Sequence, residues 1–358
     1  MPEKKKVMVG MSGGVDSSVA ALILMRDNYD VSGVTLRLHD SEPTEVEYRT
    51  CCSLNDVLDA RSVCDRLGIR HYVFNFKERF DNEVIERFVA QYNNGITPNP
   101  CIDCNKFIKF KEMLERAVLL EQDYIATGHY AMRSFDSGSG RYLLNRPVDR
   151  HKDQTYVLYG LTQKQLKHTL LPLGSLTKSQ VREIAEENGF VNANKPDSQD
   201  ICFVPDGKYA DFIENHTHKK SLPGNFVGVD GEKLGQHNGI IRYTIGQRKG
   251  LGITFGKPQF VVQKNPGNNT VVLGNEEYLF KNTATAVDCN FIAIEKLDGP
   301  MNVSVKVRYS QTEQAATIRP DDDGNVLIEF SQPQRAVTPG QAAVFYSADT
   351  VIGGGTII

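Results

Sequence analysis

The run Ser12-Gly13-Gly14-Val15-Asp16-Ser17-Ser18 stands between a short apolar stretch, Val7 to Met11, and a segment with apolar residues at helical spacing, Val19, Leu22 and Ile23. A strand-to-helix turn leaves several backbone N–H groups at the helix start without partners. The helix dipole adds partial positive charge there, so the turn suits an anion, above all a phosphate. A Walker A loop needs a lysine in a G-x-x-x-x-G-K-[ST] pattern, and no lysine stands between Val7 and Arg26. This is a different phosphate loop. Serine and aspartate are also ordinary helix caps, and it is the strand–loop–helix setting that favours the phosphate reading over a cap alone.

The second group of reactive residues is the cysteines. Cys104 lies in "TPNPCIDCNKFIKFKEML", past two prolines and at the start of a helical pattern with Lys106 beside it. Both neighbours lower a thiol pKa and raise its thiolate fraction. Cys202 lies in the turn-rich "NKPDSQDICFVPDG". Cys64, inside an amphipathic pattern, and Cys289 read as small buried hydrophobes. Cys101 and Cys104 form a Cys-x-x-Cys pair, but a zinc ribbon needs a second such pair and Cys51-Cys52 has the wrong spacing, so no structural metal is expected. His216 and His218 have no carboxylate or cysteine neighbour in sequence and read as surface residues.

The segment Ser12 to Ser17 resembles the PP-loop of ATP pyrophosphatases, which split ATP between its α and β phosphates. After it come "TPNPCIDCNKFIKF", "ATGHYA", "KDQTYVLYGL", "DSQDICFV", "IGQRKGLGI" and "VRYSQ". Together and in this order they are similar to the bacterial and organellar tRNA-specific 2-thiouridylases, which place sulfur on the wobble uridine. The resemblance spans nearly the whole chain. It implies that Gly10, Met11, Ser12, Gly13, Gly14, Val15, Asp16 and Ser17, with Leu36 and Gly128, hold ATP. It also implies that Cys202 carries a persulfide and that Cys104 is the nucleophile forming a disulfide with it. Asn99, Pro100 and Cys101 would meet the target base, and His129, Lys152, Asp153, Gln154, Arg308, Tyr309 and Gln341 would contact tRNA. Many relatives have aspartate where Cys101 stands.

The chemistry explains why these parts occur together. A uracil carbonyl oxygen leaves poorly, so ATP makes it an adenylate, with pyrophosphate stabilised by Mg2+ and loop amides. Asp16 is the residue expected to organise magnesium and phosphates. A persulfide delivers its outer sulfur when a thiolate takes over the inner one. A sulfur-donor protein, a cysteine desulfurase or a sulfur-relay protein, is therefore an expected partner alongside tRNA. Three alternatives stay open: an iron–sulfur cluster on Cys101, Cys104 and Cys202 as sulfur carrier, a PP-loop amide-forming synthetase acting on a small molecule, and a paralogue that binds tRNA without modifying it.

These residues need a scaffold. At 358 residues the chain exceeds a typical single domain. Seven cysteines are too few for a disulfide framework, and a net charge of −3 excludes a uniformly basic nucleic-acid binder while leaving local basic clusters such as Arg150-His151-Lys152. The charged N-terminus lacks a signal-peptide core and no apolar stretch reaches membrane-spanning length, so a cytoplasmic location with no membrane partner is expected. Up to about residue 200, apolar runs (Val31 to Leu38, His71 to Phe76, Tyr124 to Thr127) alternate with helical patterns (Leu54 to Leu67, Val84 to Tyr92, Phe107 to Leu119). That alternation predicts a parallel sheet with helices on both faces and its ligands at the carboxyl ends of the strands. Past Pro205 come short strand-like runs broken by Gly, Pro and Asn, with a hairpin turn at Asp323-Gly324. The expected fold is α/β, a PP-loop catalytic domain over 1–205, a small β-rich domain over 206–275 and a tRNA-binding β-barrel over 276–358.

Overall fold

The computed structural model describes residues 3–39, 54–196, 201–204, 207–253 and 256–358. Cys51 and Cys52, and residues 197–200 of the "DSQDICFV" motif, lie outside the described residues. Among the described residues no helix is long and apolar enough to cross a membrane.

The first strands are β1 (Lys6–Gly10), β2 (Asp30–Arg37), β3 (Arg70–Asn75) and β4 (Tyr124–Ala126). With the two-residue strand Thr169–Leu170 they form one parallel sheet in the order β3-β2-β1-β4, then Thr169–Leu170. Successive side chains of β1 point to opposite faces, so Val7 and Val9 enter one apolar cluster and Met8 another. Burial on both faces is why β1 reads as an unbroken apolar run. Helix α1 (Val15–Arg26), helix α2 (Leu54–Leu67) and helix Lys178–Glu187 cover the first face through Val19, Val63 and Val181. Phe110, Met113 and Ala117, from the helical run that opens at Pro100, cover the second. Strand order reverses direction between β1 and β4, and the loop after β1 sits at that switch point.

The central sheet contains strands Gly224–Gly228, Lys233–His237, Phe260–Asn265 and Thr270–Gly274. The last six strands, from Phe280–Phe291 to Thr350–Ile357, form an antiparallel barrel that closes where its first strand pairs with its last. Strands Gln314–Pro320 and Val326–Arg335 make the expected hairpin, with Gly324 at φ 81° in the turn. The alternation did not reveal the hairpin Met132–Asp136 with Arg141–Asn145, which leaves the first region and joins the barrel's last strand at Asn145 opposite Thr350.

Candidate active site

The phosphate loop is shaped by its own hydroxyls and by two glycines. Ser17 Oγ accepts from the Ser12 N–H at 3.2 Å and donates to the Gly14 carbonyl at 3.0 Å, and Ser18 Oγ donates to the same carbonyl at 3.1 Å. Gly13 has φ +74°, and a Cβ there would lie 2.4 Å from the Asp56 carbonyl oxygen. Gly128, just after β4, backs directly onto the start of α1: a Cβ would come within 2.7 Å of Ser17 N. The α1 N-cap, Gly14, makes no side-chain cap bond. The residues expected to hold ATP, Gly10 to Ser17 with Gly128, are thus gathered at one point. Leu36 is inside β2, not after it, and packs into the clusters beneath the carboxyl end of the sheet.

Four residues that the sequence reading did not single out complete this site. Lys178 Nζ donates to both carboxylate oxygens of Asp16, at 2.7 and 2.8 Å, and Tyr130 Oη donates to Asp16 Oδ1 at 2.8 Å. Asn192 Nδ2 donates to the Gly13 carbonyl and to Ser18 Oγ, both at 3.0 Å. Lys195 Nζ reaches the Gly13 carbonyl at 3.3 Å while paired with Asp56 at 2.7 Å and Asp59 at 2.6 Å. The absent Walker lysine was the available signal: a loop without its own cation must borrow one from elsewhere in the chain. Lys178 opens a helix fixed by a capping box of Thr177 and Gln180, and its backbone N–H is held by Asp149. The amide cradle and the Asp16 carboxylate fit a triphosphate with magnesium, a metal that takes one or two carboxylates and completes its shell with water and phosphate oxygens. Asp16 would be the ligand.

The cysteine segment is built differently. Asn99 caps the helical run at Pro100, its side chain accepting from the Cys101 N–H at 3.2 Å. Cys104 opens a nine-residue π-helical stretch, Cys104–Glu112, within that run. Cys101 is exposed, Cys104 is buried and Cys202 is half-buried. Cys104 and Cys202 belong to one apolar cluster with Leu36, Leu38, Phe80, Phe88 and Phe203. Phe203 meets Phe80 and Phe88 edge-on at 5.6 and 5.2 Å, which anchors the Cys202 segment to the helical run 77–93, whose residues share the cluster with Cys104. Next to Cys104, burial raises the Asp103 carboxyl to about 6, with Arg87 at 3.9 Å opposing the rise. Cys64 and Cys289 are pushed up to about 12 by burial. His216 meets Glu86 at 2.9 Å, a contact between residues far apart in sequence.

The residues expected to contact tRNA divide into two sets. Gln341 Nε2 donates to the Thr97 carbonyl at 2.8 Å, so the barrel grips the segment leading into Asn99. Tyr309 is 44% exposed and stands edge-on to Tyr156 at 5.9 Å. Its hydroxyl is raised by burial, with Asp153 and Cys101 close enough to add to the rise. Arg308 Nη2 donates to the carbonyls of Ile245 and Ala336, both at 3.0 Å, and so straps the barrel to the central region. The second set lies nearer the phosphate loop. Gln154 Oε1 accepts from the Tyr130 N–H at 2.8 Å, Asp153 accepts from Thr155, and Lys152 closes a short 3-10 turn. His129 is buried against Phe110 and bonded to Thr127 at 2.8 Å; burial, with the Lys109 charge, keeps its ring well below the usual imidazole pKa and hence neutral.

The comparison with known families gives three consecutive matches. The family described as tRNA methyl transferase HUP domain matches residues 5–206, the tRNA methyl transferase PRC-barrel domain 210–275, and the aminomethyltransferase beta-barrel domain 281–357. The tRNA-specific 2-thiouridylase MnmA of Acetivibrio thermocellus is 55% identical over 356 residues, covering 99% of each chain. The chain belongs to the tRNA-specific 2-thiouridylase family. The 2-thiouridylase of Clostridioides difficile is 53% identical over 354 residues, 99% of this chain and 98% of that one. A solved 4-thiouridine synthetase in complex with RNA and ATP is similar at 19% identity, over 55% of this 2-thiouridylase-family chain and 44% of the other, with a TM-score of 0.37.

Proposed function

We propose that this chain is an ATP-dependent tRNA sulfurtransferase that adenylates the wobble uridine and replaces its 2-oxygen by sulfur from a persulfide on Cys202, giving 2-thiouridine. The observation that carries the reading is the placement of both chemistries at the carboxyl ends of adjacent strands. The phosphate loop follows β1, while the end of β2 packs through Leu36 and Leu38 into the cluster that holds Cys104 and Cys202.

In this reading the loop amides, Lys178 and Asp16 orient the phosphates, and Gly128 allows the close approach behind them. Magnesium, when bound at Asp16, offsets the charge of the departing pyrophosphate. The segment Asn99 to Cys101, held from behind by Gln341, faces the base, with Tyr309 beside it and Lys152, Asp153, Gln154 and His129 along the way to the phosphate loop. Cys104, as thiolate, takes the inner sulfur of the Cys202 persulfide and frees the outer one for the activated carbon. A sulfur-donor protein reloads Cys202.

The test is a reconstituted reaction with tRNA, ATP and a persulfide donor, read by nucleotide analysis and by mass spectrometry of tRNA nucleosides. AMP, pyrophosphate and 2-thiouridine in equal amounts are expected. ADP with orthophosphate, or unmodified uridine, would overturn the reading.

A further inference from the structure

Resting on the persulfide reading, sulfur transfer leaves Cys104 and Cys202 joined in a disulfide inside an apolar cluster, with Cys104 only 8% exposed. A reductant must reach that bond before another turnover, and its Cys104 end is buried while its Cys202 end is half-buried. Cys101 sits one helical turn before Cys104 in the same run, and it is exposed. Residues three apart on a helix share a face. The position is also chemically favourable. Pro100 opens the helix and Cys101 follows in its first turn, where the helix dipole favours negative charge.

We infer that Cys101 is a resolving thiol, which moves the spent disulfide from the buried Cys104–Cys202 pair to the exposed Cys101–Cys104 pair. The Cys101 thiolate, its proton lost to solvent, attacks Cys104 Sγ. An S–S bond forms between Cys101 and Cys104 as the one between Cys104 and Cys202 breaks, and the electron pair leaves on Cys202 as its thiolate. One disulfide exists before and after, so nothing is oxidised or reduced overall. A dithiol reductant then supplies two electrons and two protons to the exposed pair and becomes a disulfide itself. Cys202 returns to the form that accepts the next sulfur without any reductant entering the cluster. This role differs from lining a base pocket because it acts after product has formed.

The experiment uses the full chain, persulfide-loaded, in a single turnover with tRNA and ATP and no added reductant, followed by alkylation, digestion and mass spectrometry. In the wild type, the Cys101–Cys104 disulfide with alkylated Cys202 is expected. In Cys101→Ser, the Cys104–Cys202 cross-link should accumulate and be reduced by dithiothreitol at least about tenfold more slowly than the wild-type disulfide. A wild-type protein that keeps Cys104–Cys202 linked, with Cys101 alkylated, overturns the inference and leaves the persulfide reading standing. Product formed with no disulfide in either protein overturns both.

Discussion

The phosphate loop and the cysteine segment share the carboxyl edge of the sheet, but different forces hold them. Around the loop, directional polar bonds converge: Asp16 meets Lys178 and Tyr130, and the Gly13 carbonyl meets Asn192 and Lys195. Around the cysteines, contact is mostly ring on ring, through Phe80, Phe88, Phe203 and Phe212. Hydrogen bonds fix distances and angles, whereas apolar contact is non-directional. A site that aligns phosphates gains from the first. In the proposed reaction, two sulfurs that exchange partners would gain from the second, which buries Cys104 and still tolerates small shifts.

The largest expected effect breaks the comparison at the cysteines. Cys104→Ser and Cys202→Ser should each lower thiolation by at least about a thousandfold, the scale of losing a nucleophile, while ATP binding, followed by equilibrium dialysis, stays at the wild-type level. A parallel fall in ATP affinity would mean that the two regions are one unit. Next comes the loop. Lys178→Ala should lower kcat/KM for ATP by about a hundredfold, as for loss of a charge that stabilises a developing anion, with tRNA affinity unchanged. Combined with Asp16→Asn it should be less than additive, because the two side chains are bonded to each other.

A smaller effect sharpens the contrast, because the apolar side contains a charge the loop side would have paired. Lys264 is 8% exposed, its Nζ has no hydrogen-bond partner among the described residues, and it lies 5.9 Å from the ring of Tyr92 in the cysteine cluster. Burial lowers its pKa from 10.5 to about 8. The unfolded chain keeps that proton to higher pH, so it binds more protons between about pH 8 and 10.5 and stability rises with pH across that window. Below pH 8 the full cost of the buried charge is present. Lys264→Met should therefore be more stable than wild type by about 2 kcal/mol at pH 7, and the difference should vanish near pH 10.5, as read by denaturant unfolding across pH. The smallest effect separates tRNA contacts from struts. Lys152→Ala should reduce the salt slope of tRNA binding by about 0.9. Arg308→Ala should chiefly lower the melting temperature, because its guanidinium ties Ile245 to Ala336. A lost salt increment in Arg308→Ala with an unchanged melting temperature would make that residue a phosphate contact instead.

The sequence by itself determined the elements and the reactive groups. Periodicity marked β1, α1, β2, α2, β3 and β4, because inner strands such as β1 and β2 are buried on both faces and must be mostly apolar through their length, and a covering helix must be apolar at a spacing of three to four. Ser12, Gly13 and Gly14 between β1 and α1, with Ser17 and Ser18 in the first turn of α1, marked the phosphate loop, because few other residue types fit that turn. What the tertiary structure alone decided is which distant groups finish the site. Lys178 meets Asp16 across 162 positions of chain, and nothing in the local pattern distinguishes it from the other basic residues, which total 41 with it. The hairpin Met132–Asp136 with Arg141–Asn145 reads locally like any other hairpin, and only its pairing shows that it extends the barrel. The gathering of Cys104 and Cys202 in one cluster likewise depends on Phe203 finding Phe80 and Phe88. Local pattern follows from which face of an element is buried; the partner against which it is buried is a property of the whole chain's packing.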